Sequence, residues 1–177
     1  MTSMAEDEHH RIETRAMRYA LEAHADQRYG ALPYIVHLAA VRTVLADFGF
    51  GGPLIIAAWL HDVLEDTSKD IGLDRTELAW QFGEIVHQLV WAVTGLGKNR
   101  KERNADACAK IKAYPASLPL KLADRIANCE HCQKTKNSDL LAMYRKEFGA
   151  FHEQLGHLDP ARQELPAMWE RCKLAIR

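Results

Sequence analysis

Apolar positions recur at intervals of three and four along most of the chain, the spacing of one face of an α-helix. From Met4 to Arg28 good helix formers are punctuated by Ile12, Ala16, Tyr19, Ala20 and Ala23. Gly30 ends that segment, and Pro33 suits the first turn of the next helix. The second helix carries Ile35, Val36, Leu38, Ala39, Val41 and Leu45 and stops near Gly49. Gly51, Gly52 and Pro53 separate it from a third helix, Leu54 to about Asp66. Asp74 with Glu77 forms a capping-box arrangement ahead of a short helix to Phe82. Further helices are expected over Glu84 to Thr94 and Arg100 to about Ala113, with a loop from Gly95 to Asn99 between them. Pro115 and Pro119 break the chain before an apolar helix, Leu120 to about Gln133. Two more helices fit Ser138 to Leu155 and Pro160 to Ile176. Strand alternation is scarce. Leu54 to Leu60 reads as a buried strand in isolation, but the pattern that follows it is helical. The expectation is an all-α fold, one compact domain over residues 1–177 with about eight or nine helices and no coiled-coil heptad. Trp59, Trp80, Trp91 and Trp169 fall on apolar helix faces and read as core.

Composition supports a packed core, with 47% hydrophobic residues in 177. Lys plus Arg number 23 against 24 Asp plus Glu, which lacks the basic excess of a nonspecific nucleic-acid binder. The longest apolar run, Leu54 to Leu60, is seven residues. A membrane-spanning helix needs about 20. The polar, acidic start from Met1 to His10 does not fit a secretory signal, so a cytoplasmic location is expected. Four cysteines in a chain of this length do not suggest a disulfide framework. Cys129 and Cys132 form a lone C-x-x-C on a helical stretch. Packing explains it without a second ligand pair for zinc.

The most informative stretch is Leu60-His61-Asp62-Val63-Leu64-Glu65-Asp66-Thr67. On a continuing helix, His61 and Glu65 share one face, and Asp62 and Asp66 share the adjoining one. An imidazole and three carboxylates then meet one region. A solvated helix end is one reading. A metal site flanked by catalytic carboxylates is the other, because clustered carboxylates are costly to desolvate unless a cation offsets them. His37, in Pro33-Tyr34-Ile35-Val36-His37, is either a structural histidine or a further ligand. Asp124 interrupts the apolar helix in Leu120-Lys121-Leu122-Ala123-Asp124-Arg125-Ile126-Ala127-Asn128, with Asn128 one turn later. It is either a buried partner of Arg125 or a ligand.

Taken together, P-Y-I-x-H, L-H-D-V-x-E-D-T and K-L-A-D-R-x-x-N resemble the HD phosphohydrolase superfamily. More narrowly they resemble the hydrolase domain of Rel/Spo enzymes, which degrade ppGpp and pppGpp. The length is similar to that of the small alarmone hydrolases of the metazoan SpoT-homologue type. The resemblance covers about residues 15 to 155. It implies that His37, His61, Asp62 and Asp124 hold one Mn²⁺, and that Glu65 and Asp66 position the attacking water and handle its proton. The implied partner is a small nucleotide, and the reaction is release of its 3′-pyrophosphate. Asn128 is implied to lie near the ribose and base.

Lys98, Arg100, Lys101 and Arg103 crowd a predicted helix start, where cations oppose the helix dipole. The resemblance implies phosphate contacts there, from Lys98, Arg100 and Arg103. The segment before His37 departs from the family pattern. It is only Gln27-Arg28-Tyr29-Gly30-Ala31-Leu32, where alarmone hydrolases have adjacent basic residues and a longer loop. Arg28 is available to stack on a base, and the choice between guanine and adenine alarmones stays open. The family tyrosine of the next helix falls on Phe148 by gapless count. Tyr144, one turn earlier, is a substitute for it or part of the core. Two rival functions remain, another HD-type nucleotide phosphohydrolase and a catalytically silent HD binding module.

Overall fold

The computed structural model describes residues 4–67, 75–159 and 161–177, with backbone alone for residues 4–6, 66–67 and 75. Helix α1 (Met4–His24) leads into a two-stranded antiparallel hairpin, β1 (Arg28–Tyr29) and β2 (Leu32–Pro33). Arg28 pairs with Pro33 and Tyr29 with Leu32. Then come α2 (Ile35–Asp47), α3 (Pro53–Leu60), a π-helical turn (Val63–Thr67), α4 (Arg75–Phe82) and α5 (Glu84–Val93). The chain continues through α6 (Arg100–Ala113), a 3₁₀ turn (Pro115–Ser117), α7 (Leu118–Thr135), α8 (Ser138–Leu155) and α9 (Glu164–Ala175). The fold is all-α, with nine α-helices among the described residues. None of them is long and apolar enough to cross a membrane.

Helix α3 is the centre of the packing. Every residue from Leu54 to Leu60 is buried, so this helix presents apolar surface on all sides. Pro53 opens it, where a missing N–H costs nothing. Helix α1 lies against α3, and Ala16 and Ala20, both fully buried, are small enough to let the two backbones approach closely. Helix α2 packs on both α3 and α7, and α9 closes over α7. The buried face of α2 is His37, Leu38, Val41, Val44 and Leu45. His37 is thus drawn inside because it lies one turn ahead of Val41 on the core stripe.

Four local expectations change. Helix α1 ends at His24, and Ala25 takes a left-handed φ of +37°. Arg28 and Tyr29 therefore form a strand instead of a helix end. Helix α3 ends at Leu60, and the chain widens into a π turn after His61 and Asp62. Pro119 sits in the first turn of α7 instead of breaking the chain before it, a position whose N–H has no helical partner. Trp80 is 85% exposed. Leu78 and Phe82, one turn apart, are the buried face of α4, and a residue two positions from Leu78 projects from the opposite side. Trp59 and Trp169 are buried as expected. The Asp74 cap lies outside the described residues.

One polar tie holds the three N-terminal helices together. Glu13 Oε1 accepts from Arg42 Nε at 2.9 Å and from Trp59 Nε1 at 3.2 Å. Burial pushes the Glu13 carboxyl up, but these donors outweigh it and hold its pKa below 4.5. A depressed carboxyl pKa stabilises the fold above the unfolded-state value, and that stabilisation is lost as pH falls through the folded value. Glu13→Ala is expected to cost about 1.5–3 kcal/mol at pH 7. The gap to wild type should shrink as pH drops below about 4.5. Urea melts at pH 7 and pH 3.5 test this, and an equal gap at both would contradict it.

Candidate metal centre

Packing of α2, α3 and α7 brings together side chains from three separate stretches of sequence. His37 and His61 are 1% and 2% exposed, and their Nε2 atoms lie 3.3 Å apart. Asp62 Oδ2 is 3.1 Å from His61 Nε2 and 3.4 Å from His37 Nε2. Asp124 Oδ1, from α7, lies 3.4 Å from His37 Nε2 and 3.8 Å from His61 Nε2. His37, His61 and Asp62 present donor atoms all within 4.8 Å of one another. They are the only such metal-ligating group among the described residues.

Neighbouring groups aim these donors. His61 Nδ1–H donates to the Ala58 carbonyl at 2.9 Å, which turns Nε2 toward the carboxylates. Tyr34 Oη donates to Asp62 Oδ2 at 2.7 Å. Lys121 Nζ donates to Asp124 Oδ2 at 3.1 Å, and Asn128 Nδ2 to Asp124 Oδ1 at 2.6 Å. The His37 ring is held by edge and tilted contacts with Tyr34 and Tyr29, at centroid distances of 5.5 and 4.9 Å.

Burial alone would lower the imidazole pKa of His61, yet Asp62 and Asp124 hold it well above the ordinary value. His37 is raised in the same way, against burial, by Asp124 and Asp62. Burial would raise both carboxyls. His61 and His37 hold Asp62 well below the usual range, and Lys121 with the two imidazoles does so for Asp124. Two ionised, half-buried carboxylates this close to each other are therefore stabilised by positive charge between them. A divalent cation supplies that charge without protons on the imidazoles, and the mixed nitrogen and oxygen donors fit one.

His37, Asp62 and Asp124 form one wall of a cleft of about 220 Å³. Arg100, Arg103, Lys121 and Arg125 line the same cleft, together with Glu65, Asn128 and Tyr144. Glu65 lies within the π turn and is not part of the group formed by His37, His61 and Asp62. Its Oε2 accepts from the Gly95 N–H at 3.0 Å, and its Oε1 is 3.5 Å from Arg103 Nε. A Cβ on Gly95 would stand 2.6 Å from the Arg103 carbonyl oxygen, so only glycine lets this loop approach α6 so closely. The side chain of Asp66 lies outside the described residues. Arg28 and Lys98 are exposed and do not line the cleft.

Arg125 does not pair with Asp124. Its Nη1 is 3.0 Å from Glu147 Oε2, and Arg100 binds the same carboxylate through Nε at 2.7 Å and Nη2 at 3.1 Å. Tyr144 lies under both guanidiniums, at 5.2 Å from Arg100 and 5.1 Å from Arg125. Phe148 packs edge-on to Trp169 at 6.3 Å. Lys121 was legible in the motif, one turn ahead of Asp124. Glu147 was not, since nothing local ties it to a partner 22 residues away. Cys129 and Cys132 are buried free thiols, and burial pushes Cys129 up to about 12. Both pack in the core.

The family model for the HD domain matches residues 16–153. This chain is an HD-domain protein. A guanosine-3′,5′-bis(diphosphate) 3′-pyrophosphohydrolase of Aquifex aeolicus is 40% identical over 120 residues, 64% of the chain and 17% of the relative. The bifunctional (p)ppGpp synthase/hydrolase SpoT of Escherichia coli K12 is 36% identical over 136 residues, 72% of the chain and 19% of the relative. The HD domain thus spans less than a fifth of these relatives. A solved metazoan orthologue of SpoT, described as hydrolysing ppGpp, superposes with a TM-score of 0.70 at 22% identity, over 91% of this chain and 93% of its own. That likeness shows a shared fold.

The raised imidazoles give a direct test of this HD domain. Asp62 and Asp124 raise the His61 imidazole well above its ordinary value, which favours its protonated form in the metal-free protein. A metal ligand must be neutral, so uptake has to expel that proton and weaken as pH falls. Calorimetric Mn²⁺ titrations in buffers of different ionisation enthalpy should show proton release at pH 7. Binding without proton release would contradict the charge state described.

Proposed function

We propose that this HD domain is a metal-dependent 3′-pyrophosphohydrolase of alarmone nucleotides. Its substrates are (p)ppGpp, (p)ppApp or both, and its products are pyrophosphate with GDP/GTP or ADP/ATP. One observation carries the reading. His37, Asp62 and Asp124, with His61 behind them, meet a cleft that also holds four cationic side chains, Arg100, Arg103, Lys121 and Arg125. A substrate with clustered phosphates beside a metal needs that pairing. The named activities of the bacterial relatives point the same way.

His37, His61, Asp62 and Asp124 would hold the metal, proposed as Mn²⁺ from the mixed imidazole and carboxylate set. When bound, the metal polarises a phosphate oxygen and lowers the pKa of water at the site. Glu65 lines the cleft with its carboxylate held by Gly95 and Arg103, and it would orient the attacking water and accept its proton. Asp66, the next residue in sequence, is assigned the same task. Arg100 and Arg103 bear on the phosphates. Tyr144 backs Arg100 and Arg125 with its ring, so that the forks are presented at a fixed height. Arg28 and Lys98 have no part in this reading.

The deciding experiment is a product assay with Mn²⁺ on ppGpp, pppGpp, ppApp and pppApp side by side. Pyrophosphate from the 3′ side is expected from at least one, and the relative rates give the base preference. Orthophosphate or a 5′-side product would indicate another HD nucleotidase, and silence on all four with metal bound would indicate a binding module. Asp62→Ala should lose metal and activity together. Glu65→Ala should keep the metal and lose about 10²–10⁴-fold in kcat. An active Glu65→Ala enzyme would sink the role given to that carboxylate.

A further inference from the structure

The short hairpin before α2 reaches the metal centre. Its strands are two residues each, and neighbouring side chains on a strand project to opposite faces. Arg28 is exposed, and Tyr29 points inward. The Tyr29 ring packs on His37 at 4.9 Å and on His131 at 4.1 Å between centroids. Its hydroxyl donates to Asn128 Oδ1 at 2.9 Å, across 99 residues of sequence.

Asn128 passes this contact on. Its Nδ2 donates to Asp124 Oδ1 at 2.6 Å and to the Asp124 carbonyl at 3.1 Å. An ionised carboxylate only accepts, so the amide nitrogen has to face Asp124 and the amide oxygen has to face Tyr29. The hydroxyl of Tyr29 must then be the donor. Asp124 Oδ1 is the oxygen turned toward both imidazoles, at 3.4 and 3.8 Å, while Lys121 holds Oδ2. Both protons of the Asn128 amide are thus directed at Asp124.

We infer that Tyr29 and Asn128 are positioning residues of the metal centre, with Tyr29 orienting the Asn128 amide and Asn128 aiming Asp124 Oδ1. The inference rests on the metal site proposed above. It departs from the ribose and base contact that family resemblance implied for Asn128. It also gives the truncated hairpin a structural task, since its inward residue clamps a ligand.

The test is Mn²⁺ affinity measured calorimetrically without substrate, together with KM and kcat at saturating metal. Tyr29→Phe removes one hydroxyl and keeps the ring that packs on His37, so folding should survive. It should weaken Mn²⁺ binding about 10-fold, and Asn128→Ala up to about 100-fold. The double variant should bind no more weakly than Asn128→Ala, because Tyr29 acts through Asn128. Unchanged Mn²⁺ affinity in both single variants, with KM raised in Asn128→Ala, would overturn the inference and return Asn128 to substrate contact. Losses that multiply in the double variant would overturn the relay. A wild-type protein that binds no Mn²⁺ would overturn the metal site and this inference together.

Discussion

Two carboxylates and two imidazoles meet inside a helical core, and much of the surrounding structure follows from having to keep them there. Each ionised group loses hydration on burial, a cost of several kcal/mol per ion unless opposite charge lies in contact. Asp62 and Asp124 are therefore viable only because His37, His61 and Lys121 press against them. Tyr34 and Asn128 donate further hydrogen bonds to them. The apolar contacts of α3 with α1, α2 and α5 form the rigid frame for this cluster. A cluster of this kind tolerates little drift, since a shift of a few tenths of an ångström leaves a buried charge poorly matched.

The same logic extends into the cleft. Arg125 has a side chain only 5% exposed, and a buried guanidinium needs a carboxylate. Glu147 answers it and at the same time grips Arg100 with a two-point contact. Glu147 therefore fixes two of the cations in the cleft instead of leaving them as mobile surface charges. Lys121 belongs to both systems, lining the cleft while neutralising Asp124.

Helix termination does as much as helix formation to build the site. The α-helical ladder of α3 ends at Leu60, His61 and Asp62 follow it against His37, and the π turn after them carries Glu65 to Gly95 and Arg103. A continuous helix would have stacked His61 and Glu65 on one face. Separating them puts the proposed metal ligands and the proposed proton acceptor on different parts of one cleft, which a general base needs if it is to meet a water instead of the metal. At the other side of the centre, the early end of α1 frees the segment that becomes the hairpin.

Apolar periodicity determined the all-α class, and the Gly95–Asn99 loop and Pro115 bracketed α6 at the ends it adopts. His37, His61, Asp62 and Asp124 stood out as a set through the resemblance of their motifs to HD enzymes, while His37 and Asp124 taken singly read equally as structural residues. Tertiary structure alone decided their partners. Arg125 chose Glu147 over adjacent Asp124, Asn128 was taken up by Asp124 and Tyr29, and Arg28 was turned to solvent by the strand that carries Tyr29 inward. The physical reason is that local sequence sets which face a side chain occupies. The charge or donor it meets comes from helices that are distant in sequence and adjacent only after packing.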